Sequence, residues 1–358
     1  MTSPSTNSLT ITCYNCSVDE KTTVILHGNP KEGTTSICHC PMCRIRSSGV
    51  GGCFVTYDRE HVEIVRLNDE RYSGTAKNQD GEHTVFCKCL SPIFYHTKDY
   101  KTDPELKVNM GAICHALYGE SPTIKTSGMD ALNFDAEFFM PNEMQHLNYE
   151  QRVLDWKHNT SAPNDDAPSK KPLPSSVLDA IKSKTYPAAC WCGNAQAVCR
   201  GDKIGTTICH CSRCRQRTST MDCSVEFPTD SVEYLTPDMI VTRNFETMVY
   251  NECKDCGTVL VTKMKGSPVA VVNLSSLLKG MGVVGDRPAA YDWGHRSNTR
   301  LHGPTELVDV VHHKFYANRH INQHDDSSKW VGVPGPFGGD GGLMDVHGNR
   351  IEEEKDDK

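Results

Sequence analysis

The sequence predicts a mainly β protein: two tandem antiparallel β domains, each stapled through its cysteines, joined by a proline-rich linker. Three observations lead there. Residues 37–48 (ICHCPMCRIRSS) return with few changes as residues 208–219 (ICHCSRCRQRTS). Around both copies lie short β-branched runs, some of them alternating, separated by Gly, Asn and Asp, which is the pattern of small strands. Between the copies runs a stretch rich in proline and charge that can bury little. The chain has 358 residues, too many for one small domain. Two copies are also too few for a solenoid, so duplication of a compact domain is the better reading.

Taken in order, residues 1–8 are polar and expected to be disordered. The first copy is expected over 9–158, with strands at 22–26, 61–66 and 83–86. The linker is expected over 159–187, with one or two helical turns at 176–182. The second copy follows over 188–330, with strands at 231–235, 247–250 and 258–262. Residues 331–358 form a Gly-rich, then acidic tail, also expected to be disordered. The repeat reaches beyond the cysteine loops. GTTSI at 33–37 answers GTTI at 205–208, and an H-x-x-Y-x-x-R pattern closes each copy, as His146/Tyr149/Arg152 and His313/Tyr316/Arg319.

Hydrophobic residues make up 37% of the chain, enough for modest cores. A net charge of −7 and the lack of a basic tract argue against a nucleic-acid partner. No run approaches the ~18 apolar residues of a membrane helix. The first residues lack the charged-then-apolar layout of a signal peptide. A cytoplasmic, reducing location is the expectation, and it decides how the 18 cysteines are read. In such a compartment, grouped cysteines are metal ligands more often than disulfides. All but four are grouped; Cys53, Cys114, Cys199 and Cys223 stand alone and are expected to be ordinary small core residues.

The second copy shows the groups most cleanly: Cys190/Cys192, then Cys209/Cys211/Cys214, then Cys253/Cys256. Seven ligands divide into four plus three. The outer pairs are distant in sequence and can close a tetrathiolate zinc site that ties the sheet together, a staple small β domains often need. Cys209, Cys211 and Cys214 then leave a fourth position open, the arrangement associated with catalysis. Three thiolates oppose the charge of zinc with −3, which makes the ion a weak Lewis acid. Its better role is to receive a thiol and hold it as thiolate. Arg215 and Arg217 either offset that charge, grip a substrate carboxylate, or lie on a solvated face. His210 and His39 sit between two ligand cysteines and are expected to point away from the metal. No proton donor stands out; Tyr316 and water are the candidates.

The ordered set C-x-C-G, C-H-C-x-x-C-R, C-x-x-C-G resembles the glutathione-dependent formaldehyde-activating family, grouped with the centromere protein V domain. Cys190, Cys192, Cys209, Cys211, Cys214, Cys253 and Cys256 each fall on a position of that pattern. The resemblance implies the "beta-tent" architecture and two zinc ions per domain. By it, Cys190, Cys192, Cys253 and Cys256 hold a structural ion, and Cys209, Cys211 and Cys214, with Arg215 beside them, form the catalytic site. It also implies carbon–sulfur lyase chemistry, joining formaldehyde to glutathione or running the reverse, with glutathione or a related thiol adduct as the small-molecule partner. The first copy departs from the pattern. It has Cys13-x-x-Cys16 and Cys87-x-Cys89, with no glycine after either pair. Four thiols remain for a structural ion, and Cys38, Cys40 and Cys43, followed by Arg44 and Arg46, for a second. The alternative is a non-catalytic zinc-binding interaction module. An odd, three-ligand cluster kept in both copies fits chemistry better.

Overall fold

In the computed structural model, the described residues are 8–14, 16–28, 34–38, 41–46, 48, 52–71, 82–118, 136–138, 175–209, 211–219, 222–282, 310–314, 328–330 and 343–344. Most of the expected linker, both tails and the H-x-x-Y-x-x-R residues other than His313 lie outside them.

The first half opens with β1 (Ser8–Thr12) and β2 (Thr23–His27) and continues with β3 (Thr34–Cys38), α1 (Pro41–Arg46), β4 (Gly52–Asp58) and β5 (Val62–Arg66). It then runs through β6 (Asp69–Arg71), β7 (His83–Cys87), β8 (Pro92–Thr97), β9 (Glu105–Asn109), α2 (Met110–Tyr118) and β10 (Ala136–Phe138). These strands form a small sheet, β1-β2-β5, and a larger one ordered β10-β3-β4-β9-β8-β7-β6. Helix α3 (Ser175–Lys182) falls inside the expected linker.

The second half repeats the plan. Its elements are β11 (Thr185–Ala189), β12 (Gln196–Arg200), β13 (Gly205–Cys209), α4 (Ser212–Thr218), β14 (Asp222–Pro228) and β15 (Val232–Tyr234). After them come β16 (Ile240–Asn244), β17 (Met248–Cys253), β18 (Val259–Met264), β19 (Val269–Asn273), α5 (Leu274–Gly280), β20 (Val310–Lys314), β21 (Ser328–Trp330) and β22 (Leu343–Met344). The small sheet is β11-β12-β15, and the large one runs β16-β17-β18-β19-β14-β13-β20, extended by β21 and β22. Strand pairing in this half begins at Thr185, ahead of residue 188.

Each strand expected from the sequence lies on an observed one, and most pairings are antiparallel. The exceptions sit toward one side of each large sheet: β10 joins β3, and β20 joins both β13 and β21, in parallel. A hairpin cannot make a parallel pair. A long return connection can, and both strands follow one. Register also separates the two closing segments. Phe138 stands beside Cys38 where Lys314 stands beside Cys209, so β10 is the spatial counterpart of the His313 segment. Residues 146–152 lie outside the described residues.

Burial explains why the halves pack together. Strands β1 and β2 alternate between buried and half-exposed positions, as a sheet with one wet face should. By contrast β7 is buried throughout and β14 almost throughout. Those strands are covered on both faces, and one hydrophobic core runs through both halves, from Ile11, Val55 and Phe94 to Phe227, Val261 and Leu277. Cys53, Cys114, Cys199 and Cys223 are all fully buried, as expected for core residues.

The seam between the halves is built from matching parts. Asn109 caps α2, its Oδ1 accepting from the backbone N–H of Gly111 at 2.7 Å, while its Nδ2 donates to Pro92 O at 2.7 Å and to Gln216 O, in α4 of the other half, at 2.7 Å. Asn273 does the same for α5: Oδ1 accepts from Ser276 N at 3.1 Å, and Nδ2 donates to Val259 O at 3.1 Å and to Ile45 O, in α1, at 2.7 Å. Ser48 and Ser219, both at positive φ (57° and 66°), complete the seam. Cys223 N donates to Ser48 O at 3.2 Å, and Cys53 N donates to the Ser219 hydroxyl at 2.7 Å. The short helices α1 and α4 thus each dock on the opposite half, and these helices carry the third cysteine of each three-cysteine loop.

Candidate metal centres

Four groups of side chains have metal-ligand chemistry with their donor atoms all within 4.8 Å of one another. Two are four-thiol clusters, Cys13/Cys16/Cys87/Cys89 and Cys190/Cys192/Cys253/Cys256. In each, one pair comes from the loop after the first strand of the small sheet and the other from the turn of the β7–β8 or β17–β18 hairpin. The sulfurs of Cys190 and Cys192 are 3.3 Å apart, those of Cys192 and Cys253 3.6 Å, and those of Cys16 and Cys87 3.4 Å. A disulfide needs about 2.05 Å. Tetrahedral zinc with 2.3 Å bonds sets its sulfurs about 3.8 Å apart. The clusters have the spacing of metal ligands.

Both clusters are oriented alike by backbone. The Cys13 sulfur accepts from Thr22 N at 3.3 Å, and the Cys190 sulfur accepts from Ala195 N at 3.2 Å. Hydroxyls sit at matching points, Ser91 at 3.4 Å from the Cys89 sulfur and Thr258 at 3.2 Å from that of Cys256. The glycine missing from the first copy is explained here. Leu90 adopts φ 69°, the left-handed turn that Gly257 makes at φ 67°. The first half keeps the turn with a residue that resists it. Hydrogen bonding among the crowded thiols, chiefly from Cys190, lowers Cys192 to about 7. Four thiols whose sulfurs lie within 4.8 Å of one another have the geometry to share a cation.

The third group is Cys209, Cys211 and Cys214, all partly exposed. Cys211 caps α4, its sulfur accepting from Cys214 N at 3.4 Å. Hydrogen bonds from Cys209 and Cys214 hold the Cys211 thiol well below its ordinary value, and the nearby Arg213 adds to this. Beneath the loop, Arg215 is fully buried (0% exposed) and Arg217 nearly so. Burial lowers Arg215, while Cys114 and the three site thiols pull it back up. The solvated-face reading is therefore wrong for both arginines. At that depth the Arg215 guanidinium is not exposed to solvent. Arg217 is tied to Asp222 in a buried ion pair, and Asp222 also accepts from the Ser224 hydroxyl at 2.8 Å and lies 3.8 Å from the Cys214 sulfur.

The fourth group is Cys38, Cys43 and His96. Cys40 lies outside the described residues, as do His39, His210 and Tyr316. Sequence reasoning did not find His96, because it lies on β8, far from the cysteine loop, with no spacing to mark it. It also missed Arg213, half-buried at the second loop, whose guanidinium donates to the Thr247 hydroxyl at 3.1 Å and lies 5.3 Å from the Tyr14 ring centroid. Tyr14 belongs to the other half, next to Cys13. In the reciprocal place Trp191, between Cys190 and Cys192, packs against Cys38, Met42, Cys43, Phe54 and Tyr95. Each three-cysteine loop therefore faces an aromatic residue from the opposite half's four-thiol knuckle. The donors in all four groups are those zinc prefers, and among the described residues no disulfide links the cysteines.

Paired four-thiol clusters and three-cysteine loops on a duplicated β framework define a protein of cysteine clusters suited to metal. The family model described as "Glutathione-dependent formaldehyde-activating enzyme" matches residues 9–124 and 185–289, and the chain belongs to that family, in two tandem copies. No curated protein matches the chain. Among solved structures, a Rhodobacter sphaeroides protein is similar at 18% identity, over 25% of this chain and 86% of that one, with a TM-score of 0.22, too slight a likeness to argue from.

Proposed function

We propose that the protein is a zinc-dependent carbon–sulfur lyase that acts on adducts of glutathione, or a related thiol, with an aldehyde. The observation that carries this reading is the Cys209/Cys211/Cys214 group, partly exposed and limited to three donors among the described residues. Family membership supports it. Zinc held by these three thiolates would bind the adduct's sulfur and keep it as thiolate once released.

In the lyase direction the adduct R–S–CH(OH)–R′ loses its hydroxyl proton, the oxygen lone pair forms the C=O bond, and the C–S electrons leave with sulfur. The chain's own residues set the conditions. Arg215, buried against the loop, offsets the charge of the thiolates without being reachable from solvent. Arg217 and Asp222, paired and buried behind Cys214, fix the loop's floor. Arg213 takes the substrate-facing role first expected of Arg215: it is half-exposed at the loop and suited to a peptide carboxylate. Tyr14 stacks its ring against that guanidinium and sets its direction from the opposite half.

The test is a glutathione titration of cobalt-substituted protein, followed by thiolate-to-cobalt charge-transfer absorption. A saturable rise, abolished by Cys211→Ala, is expected. No change with glutathione or with other small thiols at millimolar concentration would overturn the proposal and favour a closed, non-catalytic zinc module.

A further inference from the structure

We propose that His96 is a metal ligand of the first half, acting with Cys38 and Cys43 and oriented by Glu82, and that the first and second three-cysteine loops therefore hold chemically different centres. Four observations converge on it. The His96 Nε2 lies 3.2 Å from the Cys43 sulfur. Zinc bonded to both would set them about 3.6 Å apart. The other ring nitrogen, Nδ1, lies 3.7 Å from Glu82 Oε2, and the imidazole is only 8% exposed. At 3.7 Å Glu82 is an ion-pair neighbour, and a small turn of its side chain would form the hydrogen bond that fixes the ring of a metal-bound histidine.

Backbone geometry gives the third observation. Along a strand, neighbouring side chains point to opposite faces. Tyr95 already lies against Cys43, so its neighbour should point away. Instead His96 takes φ 49°, a left-handed conformation uncommon for a non-glycine residue. That departure puts both rings on the cysteine side. A residue held at positive φ, with its imidazole against a thiol, is a local strain that a metal bond accounts for.

The fourth observation is the comparison within the chain. Seven residues separate Cys89 from His96 and also Cys256 from Lys263, and the flanking registers agree, Phe94 opposite Val108 and Val261 opposite Val272. Lys263 therefore holds the matching place in the second half. It is absent from the positive-φ residues and cannot ligate while charged. On the strand paired with the first cysteine of each loop, Gly52 stands opposite Cys38 where Asp222 stands opposite Cys209. A Cβ on Gly52 would come within 3.2 Å of the Cys43 sulfur and 3.1 Å of the Tyr95 ring. The first site is thus cleared for a ring and given an imidazole, whereas the second is given a carboxylate that holds Arg217. An incoming sulfur must compete with His96 in the first half, whereas among the described residues the second group holds thiols alone.

The experiment uses the full chain loaded with cobalt(II) and proton NMR in water. A cobalt-bound imidazole shows its remaining ring N–H as a strongly downfield-shifted signal that vanishes in D2O. We expect one such signal, lost in His96→Ala and retained but displaced in Glu82→Gln. If His96→Ala does not fold, His96→Cys supplies a replacement donor and should fold without the signal. Absence of the signal in the unaltered protein, or its persistence without His96, would overturn the proposal. None of these results bears on whether Cys211 is required for glutathione binding, so the two readings fail separately.

Discussion

Replacing Asn273 with alanine probes the seam that positions both three-cysteine loops. Asn273 is 4% exposed and serves three backbone groups: it caps α5 through Ser276 N and satisfies the carbonyls of Val259, in its own half, and Ile45, in the other. Loss of the cap costs about 1 kcal/mol. Each buried carbonyl left without its donor costs roughly 1–3 kcal/mol, with the lower end expected for Val259 because its strand neighbours are close. The expected total is about 3–5 kcal/mol, large against the margin of any domain. Urea unfolding of reduced, metal-saturated protein measures it, with Trp191 fluorescence and circular dichroism recorded together. Because Ile45 is in α1, the loss should also loosen the Cys43 end of the first loop, and metal release from a cobalt-loaded sample should quicken. A shift under about 1 kcal/mol, or faster release from the second half only, would refute the seam argument.

Three further predictions follow from contacts elsewhere. A Cβ on Gly111 would stand 2.1 Å from the Arg215 carbonyl oxygen, so Gly111→Ala must push α2 and α4 apart; a fall in melting temperature is expected, with Gly266→Ala, whose Cβ meets nothing within 4 Å, as a control limited to its own backbone strain at φ 80°. Asp222→Ala strands the Arg217 guanidinium in the interior and should cost about 3–5 kcal/mol, while the double change Asp222→Ala/Arg217→Met recovers much of it in the same unfolding assay. Cys256→Ala removes one ligand from a buried staple and should lower the folded fraction by circular dichroism, whereas Cys211→Ala, in the partly exposed group, should leave the spectrum nearly unchanged.

How much of this was legible in the sequence depended on range. The staples could be read because their ligands come as close pairs, Cys190/Cys192 and Cys253/Cys256, and pairing is a local signal. Strand positions were readable for the same reason, since β-branched runs between turn residues need no tertiary information. What escaped depended on contacts far apart in the chain. Arg215 next to a cysteine loop reads as a surface cation until α2 of the opposite half closes over it. Arg213, one residue before Cys214, looked no different from its neighbours. His96 carries no motif at all, and only the hairpin that returns β8 beneath α1 brings it to Cys43.

The departures in the first copy are also better read as exchanges than as decay. Leu90 makes the turn that Gly257 makes, and being 2% exposed it adds core area that glycine cannot. Burying a leucine contributes roughly 1.5–3 kcal/mol, against a strain of order 1–3 kcal/mol for its backbone, so the exchange is close to neutral and the four-thiol cluster survives it. Tyrosine changes strand in the same manner. The first half has Tyr95 on β8, beside Cys43. The second has Tyr250 on β17, directly across from Thr262, the residue matching Tyr95. Both phenols are buried, and burial raises both, so each stays protonated at any working pH. A copy that was merely losing its function would shed such groups one at a time. This one keeps its phenol and its staple, and it has His96 and Gly52 where the second has Lys263 and Asp222, which is what two centres with different tasks require.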